Sequence, residues 1–181
     1  MEKETDMENS VSFSVLMTAK EVFRFSLHHS YFKLSGFIGM MMSLTALVML
    51  LISFSELGDQ NKAVLIMVSL WFTVFEPLTL WSRAKSQAKK NPAYKKPLHY
   101  TLNKEGITVS QDEQSQSIPW DRIVKVVETH KQYLVYSSKI HAFIFPKASV
   151  GEKCDDFERM VLEFTKGTNV KVSSGMKKQN K

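Results

Sequence analysis

The sequence predicts a membrane α+β protein: a hairpin of two transmembrane helices followed by an antiparallel β-sheet capped by one C-terminal helix. Three observations carry the prediction. They are an uncharged run of 21 residues at Leu34–Phe54, a second apolar run at Ala63–Trp81, and short alternating runs from Leu98 onward that end in an amphipathic stretch. The averages hide these runs, because the 181 residues have a mean hydropathy of −0.17 and 23% charged side chains, the values of an ordinary soluble chain. A single cysteine, Cys154, excludes an internal disulfide and any multi-cysteine metal or redox motif.

Residues 1–33 form the first segment. Ser10–Met17 alternates, with Val11, Phe13, Val15 and Met17 on one face and Ser12 and Ser14 on the other, the period-2 pattern of a half-buried strand. Thr18-Ala19-Lys20-Glu21 has the spacing of a capping box, with Met17 and Val22 at staple positions, so a helix should start at Thr18 and run toward the membrane. Arg24, His28, His29, Tyr31 and Lys33 suit an interfacial helix entering through the headgroup layer. The His28-His29 pair is not read as a metal site, since neighbours on a helix point about 100° apart.

Residues 34–82 carry the spans, 34–54 and 63–81. Leu34–Phe54 holds 15 apolar residues and six small or hydroxylated ones, and at about 1.5 Å per residue it reaches across a hydrocarbon core of about 30 Å. Ser55–Lys62 is turn and solvent chemistry, and Ala63–Trp81 returns with 14 apolar residues among 19. Two buried helices of a soluble bundle would need most faces of both covered, and the chain has little to cover them with. Met40, Met41 and Met42 point to three sides of one helix and read as packing or lipid-facing side chains; Gly36 and Gly39 lack the four-residue spacing of a close-packing motif and read as a weak signal.

Charge gives the orientation. Residues 1–33, 34–82 and 83–181 contribute −1, −2 and +9 to the net +6. Arg83, Lys85, Lys89, Lys90, Lys95 and Lys96 follow the second span with no acidic residue among them, in a basic juxtamembrane linker at 83–97, whereas the loop between the spans has only Lys62. Positive charge is retained on the cytoplasmic side, so both termini should be cytoplasmic, and these six residues should contact the membrane surface. The acidic start, with Glu2, Glu4, Asp6 and Glu8, is not a signal-peptide n-region, so the first span should act as an uncleaved insertion signal.

From Leu98 six strands are expected: Leu98–Leu102, Ile107–Ser110, Ser115–Ile118, Arg122–Thr129, Gln132–Ser137 and His141–Phe145, an antiparallel meander to which Ser10–Met17 could add a seventh. Ser149-Val150-Gly151-Glu152 is a second capping box, opening a helix with Cys154, Phe157, Met160, Val161 and Phe164 on one stripe and Asp155, Asp156, Glu158, Arg159 and Glu163 on the other, ended by Gly167. Trp120 should anchor the core. The tail 167–181 reads as disordered after a short extension. This pattern leaves a small sandwich or barrel open beside a single curved sheet.

Ile118-Pro119-Trp120-Asp121-Arg122-Ile123, followed by Tyr133-Leu134-Val135-Tyr136 and Phe143-Ile144-Phe145-Pro146-Lys147, resembles the YcxB-like proteins of bacteria. The resemblance takes in the two upstream transmembrane helices and the N-terminal Thr-x-x-Glu segment, and so nearly the whole chain. It implies a cytoplasmic domain over 98–166 that is PH-like, an antiparallel β-sheet capped by one C-terminal helix, on a two-span plasma-membrane anchor. It supplies no catalytic residues.

Glu76, beside Pro77, is the acidic residue inside the second span, and an ionisable group there is a functional candidate. Its place five residues before Trp81 puts the carboxyl near the cytoplasmic interface, within reach of Arg83 or headgroup water, and Pro77 removes a bond to the Thr73 carbonyl and should kink the helix. No nucleophile, metal cluster or phosphate-binding glycine loop stands out, so no enzyme and no cofactor are expected. A basic excess beside a membrane argues for lipid contact and against nucleic acid. The expected function is a non-catalytic interaction or regulatory module whose partners are membrane lipids and a protein or peptide at the PH-like domain, with the oligomeric state open. The alternative is a subunit of a small transporter or peptide-immunity system acting through the spans and Glu76.

Overall fold

Alternation at residues 11–15 and 98–145 and helical periodicity between them separate the chain into two kinds of structure, and the computed structural model follows that division. It describes residues 10–139, 141–165 and 169–171. One unit is helical and comprises Ala19–Lys90; the other combines Met1–Thr18 with Asn91–Lys181.

The sheet unit is α+β. Strand β1 (Val11–Val15) buries Val11, Phe13 and Val15 and exposes the two serines between them, as its period demands. It pairs antiparallel with β2 (Leu98–Leu102), Phe13 opposite Tyr100, across the whole intervening helical unit. Next come β3 (Gly106–Gln111) and β4 (Gln114–Pro119), completing a four-stranded sheet in the order β1-β2-β3-β4. The β2–β3 turn is set by Asn103, whose Oδ1 accepts from the amides of Glu105 and Gly106 at 3.0 and 3.1 Å.

The single open sheet does not form. Pro119 has no amide to continue a ladder, and the chain leaves β4 through a helical turn at Trp120–Arg122 to start a second sheet. That sheet orders β7-β6-β5-β8, from β5 (Lys125–Glu128), β6 (Gln132–Tyr136), β7 (Ala142–Pro146) and β8 (Asn169–Lys171). The expected strand Arg122–Thr129 is therefore shorter. Part of the tail expected to be disordered is ordered, because Asn169–Lys171 pairs in parallel with β5; residues 172–181 and Gly167 lie outside the described residues.

The C-terminal helix, α4 (Cys154–Phe164), begins five residues after the expected cap at Ser149. A four-residue turn at Lys147–Val150 ends at Gly151, whose φ of +64° breaks the helical path that a capping box needs. Glu158 is the second correction. It was expected among the solvated acids, yet it is 6% exposed and accepts the Tyr133 hydroxyl at 2.6 Å. Four residues from Cys154 and three from Val161, it sits on the inward stripe, and a buried tyrosine supplies the donor that lets it stay there.

An aromatic cluster closes the core. Phe13 meets Phe145 edge-on at 5.4 Å, Phe145 meets Phe157 at 5.5 Å, and Tyr133 lies 4.6 Å from Phe157, so residues from both sheets and α4 converge on one point. Trp120 anchors the core as expected: it stacks on Phe164 at 6.0 Å and donates its indole N–H to the Asn103 carbonyl at 2.8 Å.

The tyrosines of this core give a pH signature. Burial and the bond to Glu158 push Tyr133 well above the ordinary value of 10.0, and burial raises Tyr100 to about 12 and lifts Tyr136 as well. Groups whose folded pKa is raised hold stability that is complete below pH 10 and is lost as pH climbs past it. The urea midpoint of the purified chain, followed by near-UV circular dichroism, should be flat in this respect up to pH 10 and fall above it. Tyr133→Phe should reduce that fall by about 1.4 kcal/mol per pH unit.

The helical unit contains α1 (Ala19–Tyr31), α2 (Leu34–Ile52) and a long α3 (Asp59–Lys90). Helices α2 and α3 are each long and apolar enough to cross a membrane, with only 17% and 6% of their apolar windows buried. Helix α3 starts four residues before the expected span and continues nine past Trp81, because Arg83–Lys90 are good helix formers with no breaker before Asn91. The expected linker 83–97 is thus divided: Arg83, Lys85, Lys89 and Lys90 end α3, while Lys95 and Lys96 belong to the sheet unit.

A polar cleft in the helical unit as candidate functional site

Pro77 does perturb its helix, by a route more specific than a kink. Residues Trp71–Phe75 form a π-helical turn within α3, in which the Glu76 amide bonds to the Trp71 carbonyl, five residues back. The Phe72 carbonyl would normally receive the Glu76 amide, or the amide of residue 77 if the wider register continued. The first is taken and proline lacks the second. Tyr31, the last residue of α1, fills the gap with its hydroxyl, donated to the Phe72 carbonyl.

Neighbouring side chains serve the rest of the bulge. The Ser69 carbonyl accepts from Ser43 of α2 at 2.5 Å and from Thr73 at 2.6 Å. Backbone groups freed by a proline in an apolar helix need partners of this kind. The buried face of α2 is Gly36, Gly39, Ser43 and Ala46, all small. A Cβ at Gly39 would stand 2.1 Å from the Phe72 ring, and one at Gly36 would stand 1.9 Å from the Ser30 carbonyl oxygen. These two glycines, read as a weak signal in the sequence, are what admit the bulge and the α1–α2 corner. With Ser43 and Ala46 they make a stripe of small residues spaced three, four and three apart, in which Gly39 and Ser43 hold the four-residue spacing that the two glycines lack.

The contacts Gly39 to Phe72 and Ser43 to Ser69 fix an antiparallel register that brings Glu76 level with Gly36, in the first turn of α2. Its carboxylate accepts the Ser30 hydroxyl at 3.0 Å. The expected contact with Arg83 is not made; Glu76 and Arg83 lie two turns apart on one stripe of α3 with Leu80 between them.

That stripe is one wall of an open cleft of about 560 Å³. Its polar lining includes His29, Ser30, Lys33, Ser35, Glu76 and Arg83, and Phe25, Phe72 and Leu80 are among its apolar walls. Of the six basic residues expected at the membrane surface, Arg83 alone lines the cleft. Lys85 lies over the Trp81 ring at 5.2 Å, Lys89 and Lys90 are exposed, as is Lys95, and Lys96 pairs with Asp112 at 2.8 Å. Sequence reasoning missed Ser30, Tyr31 and Lys33 as site residues. The signal for Tyr31 was indirect: a proline in a long apolar run requires a donor from elsewhere.

The fold and the site therefore define an α+β chain in which a small two-sheet unit is interrupted by a helical unit with two membrane-length helices and a mixed polar cleft. Residues 102–161, from the end of β2 into α4, match the family model for YcxB-like protein. The chain is also similar to the Uncharacterized protein YcxB of Bacillus subtilis (strain 168), 28% identical over 113 residues, which is 61% of each chain and less than two thirds of that relative's length. Over that matched region the chain is similar to YcxB-like proteins, the family that its motifs resemble. No solved structure matches it.

Proposed function

We propose that this is an integral membrane protein of the plasma membrane that presents its sheet unit in the cytoplasm as a non-catalytic interaction or regulatory module. The observation that carries the reading is the pairing of β1 with β2. These strands flank the helical unit in the chain, so a shared sheet requires both flanks on the same side of a bilayer, and hence an even number of crossings. Two helices of membrane length, with most of their apolar surface uncovered, meet that requirement. The +9 after residue 82 favours the cytoplasm as the shared side. Two small sheets followed by one helix are in keeping with a PH-like domain, and such surfaces bind peptides or headgroups, a fold-level analogy that names no particular ligand.

Ser12 and Thr101 face each other across β1 and β2, their hydroxyls 3.1 Å apart. In a Cys154→Ala background, Ser12→Cys with Thr101→Cys should form an intramolecular disulfide in the full chain purified from membranes. A reporter fused after Lys181 should be active only as a cytoplasmic marker. No crosslink, or an external reporter, would refute the topology.

The second reading, a transporter or peptide-immunity subunit working through the spans, is favoured by Glu76 lining the cleft. It requires that Glu76→Gln abolish a deletion phenotype's complementation while loss of residues 98–166 does not.

A further inference from the structure

We infer that the cleft between α1, the start of α2 and the stripe Glu76–Arg83 of α3 is a binding site for the headgroup of an anionic phospholipid bearing a single phosphodiester charge. The inference rests on the reading that α2 and α3 cross a membrane. On that reading Lys33 immediately precedes the first span and Arg83 lies just past the apolar run of the second, so both stand where lipid phosphates are.

Two features point to an anion. Lys33 and Arg83 line the cleft, are exposed, and among the described residues enter no ion pair. Ser35 and Gly36, in the first turn of the 19-residue α2, line it too, and no side chain of Lys33 caps that turn, so its amides supply donors and a favourable dipole. The Ser30 hydroxyl is already donated to Glu76 and holds that carboxylate in the cleft. Phe25, Phe72 and Leu80 offer the upper part of an acyl chain an apolar wall, which free phosphate would not use.

Glu76 sets the charge. Lys33, Arg83 and Glu76 together contribute +1 to the cleft, which a phosphodiester neutralises and a dianionic phosphomonoester overshoots. The carboxylate at the floor therefore acts as a discriminator against phosphatidic acid.

Native mass spectrometry of the full chain in detergent, with phosphatidylglycerol, phosphatidic acid and phosphatidylcholine in competition, tests this. The wild type should retain phosphatidylglycerol about tenfold over phosphatidylcholine and prefer it to phosphatidic acid. Glu76→Gln should reverse the preference between the two anionic lipids, a gain that a misfolded chain could not produce. Lys33→Gln with Arg83→Gln should remove the preference over phosphatidylcholine, with far smaller losses from Lys85→Gln with Lys89→Gln. Equal losses from the two pairs would reduce the effect to diffuse surface charge, and an unchanged order in Glu76→Gln would remove the discriminator; either overturns the proposal. Displacement of the lipid by millimolar inorganic phosphate would also overturn it, by assigning the site to a soluble anion. None of these outcomes bears on the Ser12–Thr101 crosslink, so the topology and the lipid site fail separately.

Discussion

Replacing Phe157 by alanine will destabilise the sheet unit by about 3–5 kcal/mol, the range for a buried aromatic removed from a packed core. The ring is fully buried and touches Phe13, Tyr133 and Phe145, which come from β1, β6 and β7. Its loss opens a void that no single element can close, since the three partners are anchored on different strands. Urea titration of the full chain, followed through near-UV circular dichroism, should show the midpoint of the sheet unit lowered while far-UV helicity persists to higher denaturant. A change under 1 kcal/mol would mean that α4 does not hold the two sheets together.

Gly36→Ala will disrupt the helical unit more than Gly39→Ala, although the substitution is the same and the residues are one turn apart. At Gly36 the new methyl group meets backbone, the Ser30 carbonyl oxygen at 1.9 Å and its carbon at 2.8 Å, which cannot swing aside. The α1–α2 corner must open, drawing Ser30 away from Glu76. At Gly39 the obstacle is the tip of the Phe72 ring, which can rotate, so the loss should fall in the 1–3 kcal/mol range of ordinary overpacking. Detergent-denaturation midpoints of the two variants give the comparison. Equal effects would mean that the corner is looser than its geometry.

Much of this architecture could be read from the sequence, and the errors have physical causes. The six strands from Leu98, the N-terminal strand and the two apolar helices follow from periodicity, which is a local property. Where one sheet became two, the deciding event was Pro119 followed by a helical turn, a break that reads in sequence like any other inter-strand loop. Glu158 was misplaced because helical periodicity gives the angle of a residue but not whether a buried hydroxyl waits opposite it. The start of α4 was misread because a capping box needs a continuous helix, and Gly151 breaks it at a φ of +64°, a choice open to a glycine and not visible in the spacing. At the cleft, Glu76 was legible as a charge inside an apolar run and Arg83 as the first of the basic residues that follow it. Ser30, Tyr31 and Lys33 were not, since their role arises from the π turn and from a register between helices far apart in the chain.

The pairing of Ser12 with Thr101 joins residues 89 positions apart, and this imposes an order on synthesis. At about 5–20 residues per second, β1 leaves the ribosome roughly 5–20 s before its partner strand exists. During that interval Val11, Phe13 and Val15 have no sheet to enter, while the apolar helices between them are already being made. The strand cannot be completed early by a local hairpin, because its neighbour in sequence is a helix. The sheet unit is thus finished only after the whole helical unit has emerged, so a chain arrested within residues 19–90 leaves β1 without its partner strand and its apolar face uncovered.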